Sequence, residues 1–211
     1  VIPQVIEVIK SKRKKETKEI KTPKNCPVCK SNAYREILTE NKGIKTYEKY
    51  IRCTGGFTCS SQAKERLKHF VSKEGFDIDG LGDKQINDYF DMGIIRDPTD
   101  IFSLEQTYRQ NPPKVWIYTS GPKSKIHTIK DSAIKLFKAI EDKKVINFDR
   151  FIYSLGIRHL GSSTASLLSS HFITFDNMLS VFKLQKIEEI DEVRSLDGIG
   201  DKVVNALIDF F

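Results

Sequence analysis

The sequence predicts a mainly α-helical chain with a small β ribbon near its start, and three observations predict it. All four cysteines of the 211 residues fall between positions 26 and 59, as two close pairs. Beyond them, apolar residues recur at helical spacing almost to the last position. Twice within that stretch the pattern apolar, Asp, Gly, apolar, Gly, Asp, Lys stands directly ahead of an amphipathic run.

Residues 1–9, VIPQVIEVI, alternate loosely between apolar and polar and read as one β-strand with Pro3 at its edge or start. A strand needs a partner, and none follows before the cysteines, so the expectation is that this segment closes a larger domain lying before it. Residues 10–25, KSKRKKETKEIKTPKN, read as a basic linker. They can serve as a phosphate-contacting arm or as a solvated tether.

Residues 26–60 carry C-x2-C (Cys26, Cys29) and C-x5-C (Cys53, Cys59), with 23 residues between the pairs. Two short knuckles offering two thiolates each match the tetrahedral coordination that Zn²⁺ prefers. Gly55 and Gly56 let the second knuckle curl tightly. The β-like runs AYREILT and TYEKYIRC, turned at Asn41, Lys42 and Gly43, would bring the pairs together as a zinc ribbon. Four cysteines close the coordination shell and leave no position for an activated water, so the expected zinc is structural. The chain shows no βαβ pattern that would favour a redox dithiol. His69, His127, His159 and His171 are scattered and stand at no competing ligand spacing.

Residues 61–211 read as helices. Ser60 or Ser61 is a natural N-cap for a helix whose apolar face is Ala63, Leu67, Phe70 and Val71. Later faces are Ala133, Leu136, Phe137 and Ile140; then Phe148, Phe151, Ile152 and Leu155; then Phe175, Met178, Leu179 and Phe182. Such stripes at helical spacing predict core. Residues from about 104 to 130, with adjacent prolines and a Gly-Pro, show no helical period and read as a long loop or insertion.

The repeated pattern occurs as IDGLGDKQINDYF at 78–90 and LDGIGDKVVNALIDFF at 196–211. A third copy, IRHLGSSTASLLSSHF at 157–172, has His159 at the first glycine position and Gly161 at the second. Gly80 and Gly82, or Gly198 and Gly200, around one apolar residue make a tight turn whose amides point the same way as the free N–H groups of the next helix. Such a nest binds an oxyanion. Leu81, Leu160 and Ile199 would anchor the turns inward, while Lys84 and Lys202 would add point charges beside two of them. The arrangement is similar to the helix-hairpin-helix motif, which grips the sugar-phosphate backbone of duplex nucleic acid without reading sequence. Glycine used for backbone conformation alone is the competing reading, and three copies in register weigh against it.

Lys+Arg at 35 against Asp+Glu at 28 gives +7, which favours a polyanionic partner. No 18-residue apolar run and no apolar leader is present, so the expected setting is a reducing cytoplasm, with no membrane partner.

A four-cysteine ribbon followed by such hairpins resembles the C-terminal half of bacterial NAD-dependent DNA ligases. The landmarks run in order: VIPQV, CPVC, IRCTGGFTC, AKERLKHFVSKEGFDIDGLGDK, GIIRDPTDIFSL, FIYSLGIRHLG and LDGIGDKVVNALIDFF. The resemblance implies that residues 1–9 are the last strand of an OB domain, and that ribbon and hairpins form one unit that encircles double-stranded, preferably nicked, DNA. It further implies a nucleoid-associated role in sealing nicks during replication and repair, with NAD and Mg²⁺ used only by the full-length ligase. Two departures follow. The helix in KDSAIKLFKAIEDKK matches the family's second hairpin, but His127, Thr128 and Ile129 precede it instead of a glycine pair. The family's adenylation lysine stands in K-x-D-G, whereas Asp77 and Ser195 stand at that position before the Asp-Gly pairs here. The chain alone is therefore expected to clamp DNA and to be catalytic only with an N-terminal adenylation half. The alternative is a stand-alone, non-enzymatic DNA-binding protein. A ribbon binding single-stranded RNA ranks behind both, for want of an exposed aromatic stacking surface.

Overall fold

A computed structural model describes residues 3–41, 43–121 and 128–211. The chain divides into two compact units, Val1–Thr58 and Cys59–Phe211. Val1 and Ile2 of the expected first strand, Lys42 of the ribbon turn, and Ile126 and His127 of the second hairpin lie outside the described residues.

In the first unit, Pro3–Ile9 form no strand, and Val5 and Ile6 are exposed. A strand is held by ladder bonds to a neighbour, and no neighbouring strand pairs with this segment among the described residues. The ribbon does form. Strands β1 (Ala33–Tyr34) and β4 (Arg52–Cys53) pair antiparallel, with Ala33 opposite Cys53; β2 (Ile37–Asn41) and β3 (Ile44–Tyr47) make the outer hairpin. Gly43, at φ +79°, sits in its turn. Among the described residues of this unit, Cys26 is the only buried one. The described residues of the ribbon therefore build no apolar core.

The second unit holds nine α-helices among the described residues: α1 (Ser60–Val71), α2 (Asp83–Asp91), α3 (Pro98–Tyr108), α4 (Asp131–Asp142), α5 (Phe148–Ser154), α6 (Ser162–Phe172), α7 (Phe175–Lys183), α8 (Ile187–Ser195) and α9 (Asp201–Phe210). Helix α1 starts at Ser60 with Cys59 as its N-cap, one position before the expected serine caps. The unit boundary accordingly falls at 58/59, two residues before the expected 60/61. Helix α3 opens on a capping box: Asp97 accepts from the Thr99 N–H at 2.9 Å, Asp100 accepts from the Asp97 N–H at 3.1 Å, and Pro98 occupies the first turn.

Two apolar cores lie within this unit. The first is built from α1 to α4, with Leu67, Ile86, Ile95, Ile101, Leu104 and Leu136 at its centre. The second, from α5 to α9, centres on Ile152, Leu168, Met178, Phe182, Val204 and Leu207. Adjacent residues of α5 serve both: Phe151 packs on the first core and Ile152 lies inside the second.

The stripes expected from periodicity are core, with Val181 more deeply buried than Leu179 on α7. The expected loop at 104–130 needs correction. Residues 104–108 complete α3, and Trp116, in a short 3₁₀ turn at Lys114–Trp116, is 2% exposed in the first core. Tyr108, Tyr89 and Phe137 meet its indole edge-on with ring centroids 5.1 to 5.6 Å away. The prolines hid this because the 3₁₀ turn follows Pro113 directly and has no period of its own.

Candidate metal centre and hairpin turns

The Sγ atoms of Cys26, Cys29, Cys53 and Cys59 all lie within 4.8 Å of one another, and none is in a disulfide. Sulfurs bound to one tetrahedral zinc at about 2.3 Å would stand about 3.8 Å apart, so the cluster has the right size. The first knuckle is closed by the Cys26 N–H donating to the Ser31 carbonyl at 2.8 Å, and Lys30 takes the left-handed turn position at φ +63°. In the second, the Gly55 N–H donates to Cys53 Sγ at 3.2 Å.

The two glycines of the second knuckle are required for different reasons. Gly56 has φ +48°. A Cβ on Gly55 would lie 2.7 Å from Cys29 Sγ and 3.2 Å from Cys53 Sγ, so its absence makes room for the thiol cluster.

The electrostatics favour thiolates on one side of the cluster. The Ser31 hydroxyl and N–H bring Cys29 down to about 6, and the Cys29 N–H lowers Cys26. At Cys53 the Gly55 N–H favours the thiolate, but desolvation and the neighbouring cysteines outweigh it and push the thiol up to about 11. Four thiolates at this spacing repel one another, and a divalent cation removes that cost. The donor set can thus hold a soft or borderline metal ion. Ser31, which sequence reading missed, carries the first polar support of the cluster; its only signal was a hydroxyl two positions after Cys29.

The three hairpin copies superpose in their internal logic. The N–H of the central apolar residue donates back three positions in each: Leu81 to Ile78 at 3.3 Å, Leu160 to Ile157 at 3.2 Å, Ile199 to Leu196 at 3.0 Å. The residue before it has positive φ in each: Gly80 at +89°, His159 at +63°, Gly198 at +86°. This is the third position of a turn that ordinarily demands glycine, and His159 holds it without one. Leu81, Leu160 and Ile199 are 2%, 6% and 4% exposed, anchoring the turns as expected.

The second glycines need a different explanation. Gly82, Gly161 and Gly200 cap α2, α6 and α9 with φ of −71°, −91° and −96°, which any residue adopts. A Cβ would meet nothing within 4 Å at Gly161 or Gly200, and only the end of Gln85, at 3.5 Å, at Gly82. Neither conformation nor internal packing asks for glycine at these three places. All three are exposed and no side chain caps the helices that follow, although in α9 the Val203 N–H donates back to the Gly200 carbonyl at 2.9 Å. The turns therefore leave open ground for an oxyanion to approach the backbone. Lys84 and Lys202 are exposed beside two of them.

Helix α4 lacks this geometry. Thr128 and Lys130 have no positive φ, Ile129 bridges to Ile117, and the Lys130 N–H donates to the Trp116 carbonyl at 2.7 Å. The amide that would face an anion is already used.

The remaining expectations fall out as follows. His69 is a helix residue whose Nε2 lies 2.8 Å from the Tyr153 carbonyl. The ribbon does expose aromatic side chains, Tyr34, Tyr47, Tyr50 and Phe57, contrary to the expectation of none. No helix among the described residues is long and apolar enough to cross a membrane.

Fold and turns together define a helix-hairpin-helix protein with a four-cysteine centre. A protein-family model described as Helix-hairpin-helix motif matches residues 150–211, the stretch holding the turns at His159 and Gly198. The chain is homologous over its whole length to proteins named DNA ligase. That of Xanthobacter autotrophicus is 37% identical over 220 residues, that of Parvibaculum lavamentivorans 38% over 214, and that of Rhodospirillum rubrum 40% over 219. Each alignment covers 100% of this chain and 29% of the relative. The chain thus spans under a third of the length of the curated relatives it matches, and the resemblance read from the sequence is borne out.

Proposed function

We propose that this chain is the DNA-gripping segment of an NAD-dependent DNA ligase that seals nicks in duplex DNA during replication and repair. The observation that carries the reading is the set Gly82, Gly161 and Gly200. Three helix starts dispense with a side chain that the fold itself would accept, as a backbone grip on phosphates requires. Similarity along the whole chain to proteins named DNA ligase supports the same reading.

In this reading Cys26, Cys29, Cys53 and Cys59 hold a structural Zn²⁺, which supplies a fixed crosslink to a ribbon whose described residues bury only Cys26. The turns Gly80–Gly82, His159–Gly161 and Gly198–Gly200, anchored from within by Leu81, Leu160 and Ile199, meet the sugar-phosphate backbone through their amides, with Lys84 and Lys202 beside two of them. The chain contributes no nucleophile. Its share is to hold the duplex so that the 3′-hydroxyl and activated 5′-phosphate of a nick lie in line, an entropic contribution. NAD and Mg²⁺ belong with an N-terminal adenylation half, and residues 1–9 with the end of an OB domain. A cytoplasmic, nucleoid-associated location goes with this role.

The test is fluorescence anisotropy of a labelled nicked duplex titrated with the zinc-loaded chain, with intact duplex and single strand as competitors. Salt-sensitive binding in which duplex outcompetes single strand is expected. Preference for single strand, or no binding at low salt, would overturn the reading.

A further inference from the structure

The net charge of the chain does not sit on the unit that carries the hairpin turns. Val1–Thr58 holds 14 Lys and Arg against six Asp and Glu, a net +8, whereas Cys59–Phe211 holds 21 against 22, a net −1. The turn pattern adds to the contrast: Asp79 and Asp83 stand beside Lys84, and Asp197 and Asp201 beside Lys202. Backbone amides can hold a phosphate at such turns, but the unit as a whole does not attract a polyanion.

Most of the surplus is concentrated in one short segment. Residues 10–24 hold eight Lys and Arg against Glu16 and Glu19, a net +6, with Lys12, Arg13, Lys14 and Lys15 consecutive. Every residue of the segment is exposed. None of its eight cations enters an ion pair among the described residues. Its backbone hydrogen bonds among the described residues are local, with the Lys12 N–H donating to the Ile9 carbonyl at 3.1 Å, Arg13 to Lys10 at 3.2 Å and Thr17 to Lys14 at 3.0 Å. Only the Lys24 carbonyl, which accepts from the Ala33 N–H at 2.8 Å, joins the ribbon.

A spacer needs none of this charge. Neutral polar residues would give the same length and solubility, whereas four successive cations lie close within a Debye length, about 10 Å at 0.1 M salt, and repel one another. A line of phosphates removes that repulsion and releases its own condensed counterions. Fully extended, fifteen residues reach up to about 50 Å, more than one duplex turn of about 34 Å.

We infer that residues 10–24 are a DNA-binding arm, in which Lys12, Arg13, Lys14 and Lys15 contact duplex phosphates and supply most of the salt-dependent attraction. This rests on the reading of the chain as a DNA-gripping segment and adds the element that carries its charge. The hairpin turns then position the duplex through their amides. The arm meets phosphates alone and reads no sequence.

The experiment measures duplex binding against salt for the zinc-loaded chain with Lys12, Arg13, Lys14 and Lys15 all changed to Gln, and separately for Gly82→Val combined with Gly200→Val. Each phosphate contact contributes about 0.9 to the slope of log K against log salt, so losing four lowers it by about 3.6. The arm variant should lower the slope by about 2 or more; a smaller fall overturns the inference. Its four side chains are exposed and unpaired among the described residues, so helicity and zinc content should match the parent. The glycine variant should bind more weakly at every salt concentration with the parental slope. If the arm variant keeps the parental slope while the glycine variant loses affinity, the hairpin reading stands and the arm falls. If the glycine variant binds like the parent while the arm variant loses slope, the arm stands and the hairpin reading falls.

Discussion

The indole N–H of Trp116 donates to the hydroxyl of Tyr89 at 2.8 Å, inside the first core, with the two rings edge to face at 5.6 Å. This bond ties a proline-rich connection to α2, the helix that follows the first hairpin turn. Tyr89→Phe would leave the indole N–H buried without an acceptor and should cost about 1–3 kcal/mol. Urea denaturation followed by the fluorescence of the chain's single tryptophan would read it directly. An unchanged midpoint would show that the bond contributes nothing.

Gly55→Ala should abolish stoichiometric metal binding while leaving the helices in place. The new methyl would occupy the space beside Cys29 Sγ and Cys53 Sγ, against thiols that cannot retreat without opening the cluster. Elemental analysis should give one zinc per parental chain and none per variant, with far-UV helicity nearly the same. One zinc in both would refute the packing argument.

Gly198 and Gly200, two positions apart, should respond oppositely to alanine. Gly198 has φ +86°, and a Cβ there would meet Leu167 at 3.1 Å, so Gly198→Ala should destabilise the second core by about 1–2 kcal/mol. Gly200→Ala should leave stability within about 0.5 kcal/mol, and Gly200→Val should weaken duplex binding without loss of helicity. Thermal melts paired with anisotropy would separate the two effects. The prediction fails if Gly200→Val unfolds the unit or binds DNA like the parent.

Asp77 should make stability depend on acid pH. The Lys143 ammonium, 3.1 Å away, holds its carboxyl below the usual range, and Arg150 adds to the effect. A carboxylate lowered in the folded state contributes stability above its unfolded pKa of about 3.9 and loses it as pH falls through the folded value. The side chains are partly exposed, so the contribution is at most about 1 kcal/mol. Lys143→Met should lower the melting temperature near neutrality by a few degrees, and the difference should vanish by about pH 2. A difference constant with pH would point to lost packing instead.

What was legible in the sequence follows from which forces act locally. The cysteine pairs declare their chemistry by spacing, and the apolar stripes declare their buried faces by period, so ribbon, helices and the turns at Gly82 and Gly200 could be read directly. His159 shows the limit, since a histidine at a left-handed position is held there by Leu160 buried behind it, which no local pattern reports. Trp116 shows another: its burial depends on Tyr89, Tyr108 and Phe137, distant in sequence, while its neighbours Pro112 and Pro113 speak only of a loop. The segment Pro3–Ile9 has strand-like alternation but no partner strand among the described residues, and alternation alone makes no ladder.

The placement of Phe151 and Ile152 on successive positions of the seven-residue helix α5 bears on how the hairpin unit unfolds. Each core has its own set of fully buried side chains, and the rings of Phe76, Phe151 and Phe175 form an edge-to-face chain at 6.4 and 5.2 Å across the junction. Such an arrangement makes two cooperative blocks coupled through one short helix. Amide exchange should then show two protection levels, and a single melting temperature would average two linked transitions whose separation is set by the contacts of that helix.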